Sequence, residues 1–501
     1  MTVKTEYNYA TKLKEVLKTG SEPYLMTGDQ YKESLRDGRR IIDSEGEEIK
    51  DPVTHPHLKR GVETIARIYD QQFNAETKDF STYLDKDGKR YNTGWKVPTT
   101  LEDLQIKRKM LKANTYESFG VFGRPNDYGP YMALGFLAVI DKIEAEDPQR
   151  ADNIRKFVEF SQKHNIISAD LIVDPQTDRT IPRTERKGQL RIVEERPDGV
   201  ILQGAKSCGS IAAQAHFVTI STVLSPGLDE DAAIWAAVPI NSEGLTIALR
   251  EPVTRLDNNS FDDHPLDSRV GEEVDGMLIF DNVFLPNELI FSKGNLELLN
   301  YYNESGGLFH WHILSRLAYR AEIFAGVVQT IIDVLGTGSI AGVRDKASDV
   351  FAYAIALKSH IEAAENEAEL ENGVLVPSRS IITAGRLHSI ERYPEIMHIL
   401  RDLSGQGLIS RFTKKTWDHP DVGKKLDEYL PGTGVTAREK NRFFNFLWDL
   451  TTSSHAGRVA LFENLNATNA PVVRKDFYNI YDRSESVNHI RDFLNLPKIE
   501  G

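Results

Sequence analysis

Apolar residues recur along this chain with two different periods. Up to about residue 165 they return every three or four positions, which predicts helices at about 57–74, 101–117, 130–145 and 149–164. A shorter amphipathic helix is expected over 6–18. Asp29 reads as an N-cap, Gly38 as a stop, and residues 85–88 as the turn of a small hairpin. From 166 to 303 the apolar positions gather into short β-rich runs at 190–194, 199–203, 216–224, 233–239, 245–249 and 276–281, parted by Gly, Pro and Asp. Beyond 304 the helical period returns over 308–335, 345–371, 379–408, 437–468 and 484–494, as in an antiparallel bundle. The fold class is therefore α+β, with an N-terminal helical domain (1–165), a central β domain (166–303) resembling a barrel, and a C-terminal helical bundle (304–501).

The run 166–179 is the pivot. Leu171 to Val173 read as a short buried strand, ended by Asp174 and Pro175 because proline cannot donate to a sheet ladder. Gln176, Thr177, Asp178 and Arg179 then crowd polar groups into one turn. They form either a solvated turn or a strand end that presents polar groups to a ligand. Arg124 and Tyr128 are four apart, so one turn brings them to the same side. They either cap and pack a helix end or face a ligand. The small residues of 204–210 allow close approach to the backbone, by a ligand or by a second strand.

Composition narrows the classes. The net charge is −13 with no long basic run, which argues against a nucleic-acid partner. A single cysteine, Cys208, excludes a disulfide within the chain and an iron–sulfur cluster held by three or four of its own cysteines. No apolar stretch approaches the roughly 20 residues of a membrane span, and the start lacks the apolar core of a signal peptide, so a reducing cytoplasm is the expected home. Gly336 to Gly342 follow a helix and have the wrong spacing for a dinucleotide fingerprint, and there is no P-loop. His310 and His312 are two apart on a helix and point to different sides, so no metal site is expected.

Several local motifs in a fixed order resemble the 4-hydroxyphenylacetate 3-monooxygenase family, the oxygenase components of two-component, reduced-flavin-dependent aromatic hydroxylases. They are 31–39 with Thr54, His55 and Pro56; 123–128; 174–179; 280–286; and Trp448, Asp449 and Leu450 followed by 453–458. The resemblance runs from about Thr27 to Asp492. It implies an acyl-CoA dehydrogenase-like fold and a homotetramer or homodimer. It also implies FAD, taken up as FADH2, with FMN as second choice. A separate NAD(P)H-dependent flavin reductase would supply it, because the chain shows no NAD(P)H motif. One oxygen atom of O2 would enter a small aromatic or heterocyclic substrate through a flavin C4a-hydroperoxide, a chemistry that belongs to the cofactor.

The resemblance also assigns residues. Arg124 and Tyr128 fall where the family holds the substrate's ring hydroxyl. Gln176, Thr177, Asp178, Arg179 and Ser210 fall at flavin contacts, Ser210 in place of the usual threonine. Ser454, His455, Ala456, Gly457 and Arg458 match a flavin contact from the C-terminal bundle. The chain departs from the family at Asp170, where a histidine normally touches the phenolic oxygen. An ionised carboxylate can only accept a hydrogen bond and disfavours a phenolate beside it. Asp170 is then a general base for a phenol, or an acceptor for a substrate N–H in an amide or nitrogen heterocycle, or another histidine, such as His216, takes over. An acyl-CoA dehydrogenase-like flavin oxidoreductase and a non-catalytic flavin binder stand as alternatives.

Overall fold

The computed structural model describes residues 10–125, 127–222, 227–257, 260–463 and 469–498. The first part of the chain builds α1 (Thr11–Lys18), α2 (Gly28–Ser34), β1 (Arg40–Ile42), α3 (Pro56–Asp70), α4 (Lys78–Ser81), a hairpin of β2 (Thr82–Leu84) and β3 (Arg90–Asn92), α5 (Leu101–Glu117), α6 (Tyr128–Ala138), α7 (Ile140–Glu146) and α8 (Pro148–His164). Local chemistry sets several starts. Thr100 and Asp103 form a reciprocal capping box on α5, and Asp147 caps α8 ahead of Pro148. α2 is capped by Thr27 with Gln30, so Asp29 lies inside the first turn rather than at the cap. The helix expected over 130–145 breaks at Val139, whose ψ of 18° leaves the helical range.

The middle of the chain supplies β4 (Ser168–Leu171), β5 (Arg191–Arg196), β6 (Gly199–Lys206), β7 (Phe217–Ile220), β8 (Ile234–Pro239), β9 (Leu245–Leu249), α9 (Pro265–Arg269), β10 (Gly276–Pro286) and β11 (Ile290–Lys293). Among the described residues these form a five-stranded sheet in the order β1-β9-β10-β6-β5 and a four-stranded sheet in the order β11-β8-β7-β4. β1 joins the first sheet in parallel with β9, so the N-terminal region donates a strand to it. β4 pairs in parallel with β7 from Ser168 to Leu171. The strand thus starts three residues earlier than the apolar run suggested, and Val173 is left 39% exposed. Pairing partners, not the local run, fix its limits. Part of the run expected at 216–224 lies outside the described residues.

The last part holds α10 (Tyr301–Leu335), α11 (Ala341–Asn366), β12 (Glu369–Glu371), β13 (Val374–Val376), α12 (Arg379–Ser404), α13 (Lys414–Trp417), α14 (Val422–Tyr429), α15 (Ala437–Thr451), α16 (Ser454–Leu461), α17 (Ala470–Ile480) and α18 (Ser484–Phe493). α10 is the central rod: Leu314, Ala321, Val328 and Ile331 are fully buried in the main hydrophobic cluster. The helix expected to reach 371 stops at Asn366. Asn372 (φ 46°) and Gly373 (φ 80°) turn a hairpin there instead, because both accept the left-handed backbone it needs. The helix expected over 437–468 is split by the Ser453 cap, and 464–468 lie outside the described residues.

Candidate functional site

α6 meets β4 end-on. A Cβ on Gly129 would lie 2.5 Å from the Ser168 carbonyl oxygen, so glycine is required for this approach. The contact sets Tyr128, the first residue of α6, beside Asp170 on β4. Arg124 stands in the preceding bend. Its Cζ lies 4.4 Å from the Tyr128 ring centroid and 5.1 Å from that of Phe462, a cation–π sandwich. The three residues assigned to the substrate thus converge.

Their charges are not matched. Asp170 forms no ion pair with Arg124 among the described residues, and its Oδ1 is sealed from solvent without a hydrogen-bond partner. Burial pushes the Asp170 carboxyl up to about 7, with Arg124 and Lys206 pulling the other way. The rest of the side chain keeps some solvent contact. Burial likewise raises the Tyr128 hydroxyl to about 12, against Arg124. Lys206 Nζ is itself held by Asp174 Oδ1 at 2.7 Å and the Ser221 carbonyl at 2.9 Å.

The bend that carries Arg124 is tied to the C-terminal motif by an acidic pair the sequence did not point out. Gly123 N donates to Glu273 Oε2 at 3.0 Å, and Arg124 N donates to Glu273 Oε1. Arg458 binds Glu273 at 2.8 Å through Nη1 and Asp275 at 2.8 Å through Nε. Ser210 Oγ donates to Asp275 Oδ1 at 2.6 Å, and Arg250 Nε donates to Asp275 Oδ2 at 2.9 Å. Burial opposes the charges here, yet Arg458 is held above its usual value by Asp275 and Glu273, and Asp275 below its own by Arg458 and Arg250. Ser210 and Arg458 are thus brought together. The only sequence signal was the run of acids at Glu272, Glu273 and Asp275 ahead of β10.

The other assigned residues scatter. Gln176, Thr177, Asp178 and Arg179 are exposed after β4, and Asp178 accepts from the Thr180 backbone and hydroxyl at 2.9 and 2.7 Å. The 204–210 loop runs alongside, with Ser207 N donating to the Val173 carbonyl at 2.8 Å. In α16, Ser454 and Gly457 are exposed and Ala456 is buried; Ala456 N donates to the capping Ser453 Oγ. His455 turns away to Asp267, 2.9 Å from Nδ1, next to the His264–Asp449 pair. His216 does not take over from a missing histidine. Its Nε2 meets Ser34 Oγ at 2.7 Å, its Nδ1 accepts from Ile167 N at 3.0 Å, and burial lowers it to about 3. The nearer imidazole is His312, 5.4 Å from the Tyr128 ring and 2.6 Å from Asp127 Oδ1; the other carboxylate oxygen, Oδ2, accepts from Asn114 Nδ2 at 2.6 Å.

Residues 27–292 match the family model of the 4-hydroxyphenylacetate 3-hydroxylase N terminal region, and residues 299–495 match that of its C terminal region. The chain belongs to the 4-hydroxyphenylacetate 3-hydroxylase family. Family members similar to it include the 2,4,6-trichlorophenol monooxygenase of Cupriavidus pinatubonensis, 31% identical over 90% of this chain and 88% of that protein. The 4-hydroxyphenylacetate 3-monooxygenase oxygenase component of Thermus thermophilus is 29% identical over 93% and 97%. The crystal structure of an oxygenase component of 4-hydroxyphenylacetate 3-monooxygenase, complexed with FAD and 4-hydroxyphenylacetate, superposes with a TM-score of 0.88 at 28% identity, covering 94% of this chain and 98% of that one. An archaeal 4-hydroxybutyryl-CoA dehydratase shares the fold, with a TM-score of 0.84 at 21% identity over 94% and 95%. The mixed helix-and-sheet architecture of the family is therefore that of this chain.

Proposed function

We propose that this chain is the oxygenase component of a two-component monooxygenase that uses reduced FAD and O2 to place one oxygen atom in a small aromatic or heteroaromatic substrate. The observation that carries this reading is the meeting of Arg124, Tyr128 and Asp170 at the end of β4, directly before the exposed polar run 176–179. The donor set suits a flavin. Gln176 offers both a donor and an acceptor, Thr177 a hydroxyl, and Arg179 a cation for the phosphates, all on exposed side chains. Reduced FAD, when bound, supplies the electrons that activate dioxygen. Arg124 and Tyr128 hold the ring hydroxyl of the substrate, which fixes which carbon faces the cofactor. Asp170 accepts the proton of that hydroxyl. Phe462 and Phe309 keep water from the ring. Ser210 and Arg458 brace the cofactor wall through Asp275. A second reading, in which the substrate presents an amide or ring N–H, is favoured by the unpartnered Asp170 Oδ1.

The reading includes a separate NAD(P)H-dependent reductase, a cytoplasmic location and three units divided near 165 and 303. Among the described residues no helix is long and apolar enough to cross a membrane. A homotetramer or homodimer built through the last unit is supported by α17 and α18, where Tyr478 and Phe493 are 68% and 82% exposed. The test is to supply chemically reduced FAD, oxygen-18 gas and a panel of phenols and nitrogen heterocycles, then weigh the products. One labelled atom per product is expected. Hydrogen peroxide as the sole product with every compound overturns the proposal.

A further inference from the structure

Asp170 projects from β4 with charged or titratable groups on several sides. Arg124 faces it from the bend before α6, Tyr128 from α6 and Lys206 from β6. His310 of α10 and Arg386 of α12 lie further round the same space, His310 kept neutral by burial and by Arg386 and Arg124. Thr219, its register partner on β7, is uncharged and bonds Ser168 at 2.8 Å. Lys206 is engaged by Asp174, and Arg124 gives Nη1 to the Gly123 carbonyl at 2.9 Å. Neither cation closes an ion pair on Asp170 among the described residues. A carboxyl group with one sealed, unpartnered oxygen is costly to leave ionised, and the part of the side chain that keeps solvent contact is where a ligand donor reaches it.

We infer that Asp170 makes this site select its ligand by proton count: ligand and Asp170 together keep one proton, so a neutral hydroxyl or ring N–H that donates to Asp170 and accepts from Arg124 is bound in preference to an ionised phenolate. This rests on the reading that the substrate lies between Arg124 and Asp170. Two anions in so small a space resist joint ionisation, and with Lys206 engaged by Asp174 the cation of Arg124 does not neutralise both. A weakly acidic phenol brings its own proton at neutral pH. An electron-poor phenol, already ionised, must take one from solvent. Trichlorophenol and nitrophenol, for which two relatives are named, ionise more readily than simple phenols, so weak binding of such compounds to this chain is expected above neutral pH.

The test is equilibrium binding to the full chain, with no turnover, of 4-nitrophenol and 4-methylphenol between pH 7 and 9. Binding is followed by calorimetry in buffers of different ionisation enthalpy and by the absorbance of 4-nitrophenolate. The Kd for 4-nitrophenol is expected to rise about tenfold per pH unit, with about one proton taken up per molecule bound, while the Kd for 4-methylphenol stays flat. In Asp170→Asn the slope and the proton uptake vanish, and bound 4-nitrophenol shows the phenolate absorbance. A flat Kd for 4-nitrophenol in the unaltered chain, or the same slope in Asp170→Asn, overturns the inference. If Arg124→Ala weakens neither probe, the placement of the substrate fails, and the inference with it. If Arg124→Ala weakens both probes and the slope is absent, only the proton count fails.

Discussion

Around Arg458 every buried charge has an opposite within reach: Glu273 and Asp275 face Arg458, Asp275 also faces Arg250, and Glu272 lies 2.7 Å from Arg250. At the end of β4, Asp170 closes no ion pair among the described residues. Both carboxylate sets are buried, yet they shift in opposite directions. Partners pull Asp275 and Glu272 below the usual carboxylate range, whereas burial pushes Asp170 up to about 7. The first arrangement is a brace, which holds the Arg124 bend against α16 through Glu273. The second leaves an acceptor unsatisfied among the described residues, beside the place proposed for the substrate. A buried carboxylate with matched cations is a poor candidate for proton chemistry, while one that burial raises toward neutrality against nearby cations is a good one.

The largest way to break this contrast is Arg458→Ala. It strands Glu273 as a buried unpaired charge and leaves Asp275 with Arg250 as its remaining cation, and a loss of about 3–5 kcal/mol is expected in urea unfolding. Substitution by Lys should rescue little, because one ammonium cannot reproduce the two-sided contact of the guanidinium. A loss under about 1 kcal/mol would mean that the cluster is not a brace. Next comes Arg124→Ala. Its guanidinium contacts rings and one carbonyl, so the thermal midpoint should hardly move. Oxygen insertion, measured as kcat/KM, should fall on the order of 100-fold as the donor to the substrate oxygen is lost. Unchanged kcat/KM would remove Arg124 from the site.

How much of this contrast the sequence displays depends on reach. Helices with their own caps, such as α5 with Thr100 and Asp103, are legible because every cause lies within a few residues. The hairpin of β12 and β13 is missed: Asn372 and Gly373 are a turn signal, but the helical period before them carries through to 371. β1 is not legible either, since its partner β9 lies some 200 residues away. The same holds for the brace. Arg458 meets Asp275 and Glu273 across 183 and 185 residues, and the run of acids ahead of β10 does not say which cation it meets. Asp170 could be picked out by position. Its protonation could not, because that depends on how α6 settles on β4 at Gly129.

His216 sharpens the comparison from the structural side. Its two ring nitrogens link Ser34 to the backbone at Ile167, just ahead of β4. His216→Phe leaves the Ser34 hydroxyl and the Ile167 N–H without that partner, and about 1–3 kcal/mol of stability should be lost in urea unfolding. Since burial already keeps this ring neutral, with its value lowered to about 3, the pH profile of oxygen insertion should keep its shape. A profile that loses a limb near neutrality would return His216 to the chemistry.

The smallest expected effect is a pH-dependent one at Asp170. In the unfolded chain an aspartate titrates near 3.9, and in the folded chain Asp170 titrates near 7. Below about pH 4 both states hold the proton. Between about pH 4 and 7 only the folded state holds it, so the folded state loses ground as pH rises and has lost the whole contribution above about 7. The full shift would correspond to about 4 kcal/mol, and the residual solvent contact of Asp170 reduces this to an expected 1–2 kcal/mol, roughly. Asp170→Asn carries no charge at any of these pH values. Its stability relative to the unaltered chain should therefore climb between pH 5 and pH 8, read as a difference in urea midpoint. Glu365, raised by burial to about 7, titrates in the same window but is present in both chains and cancels in the difference. A difference that stays level from pH 5 to 8 would mean that Asp170 is already ionised at pH 5, and the contrast with the Arg458 brace would disappear.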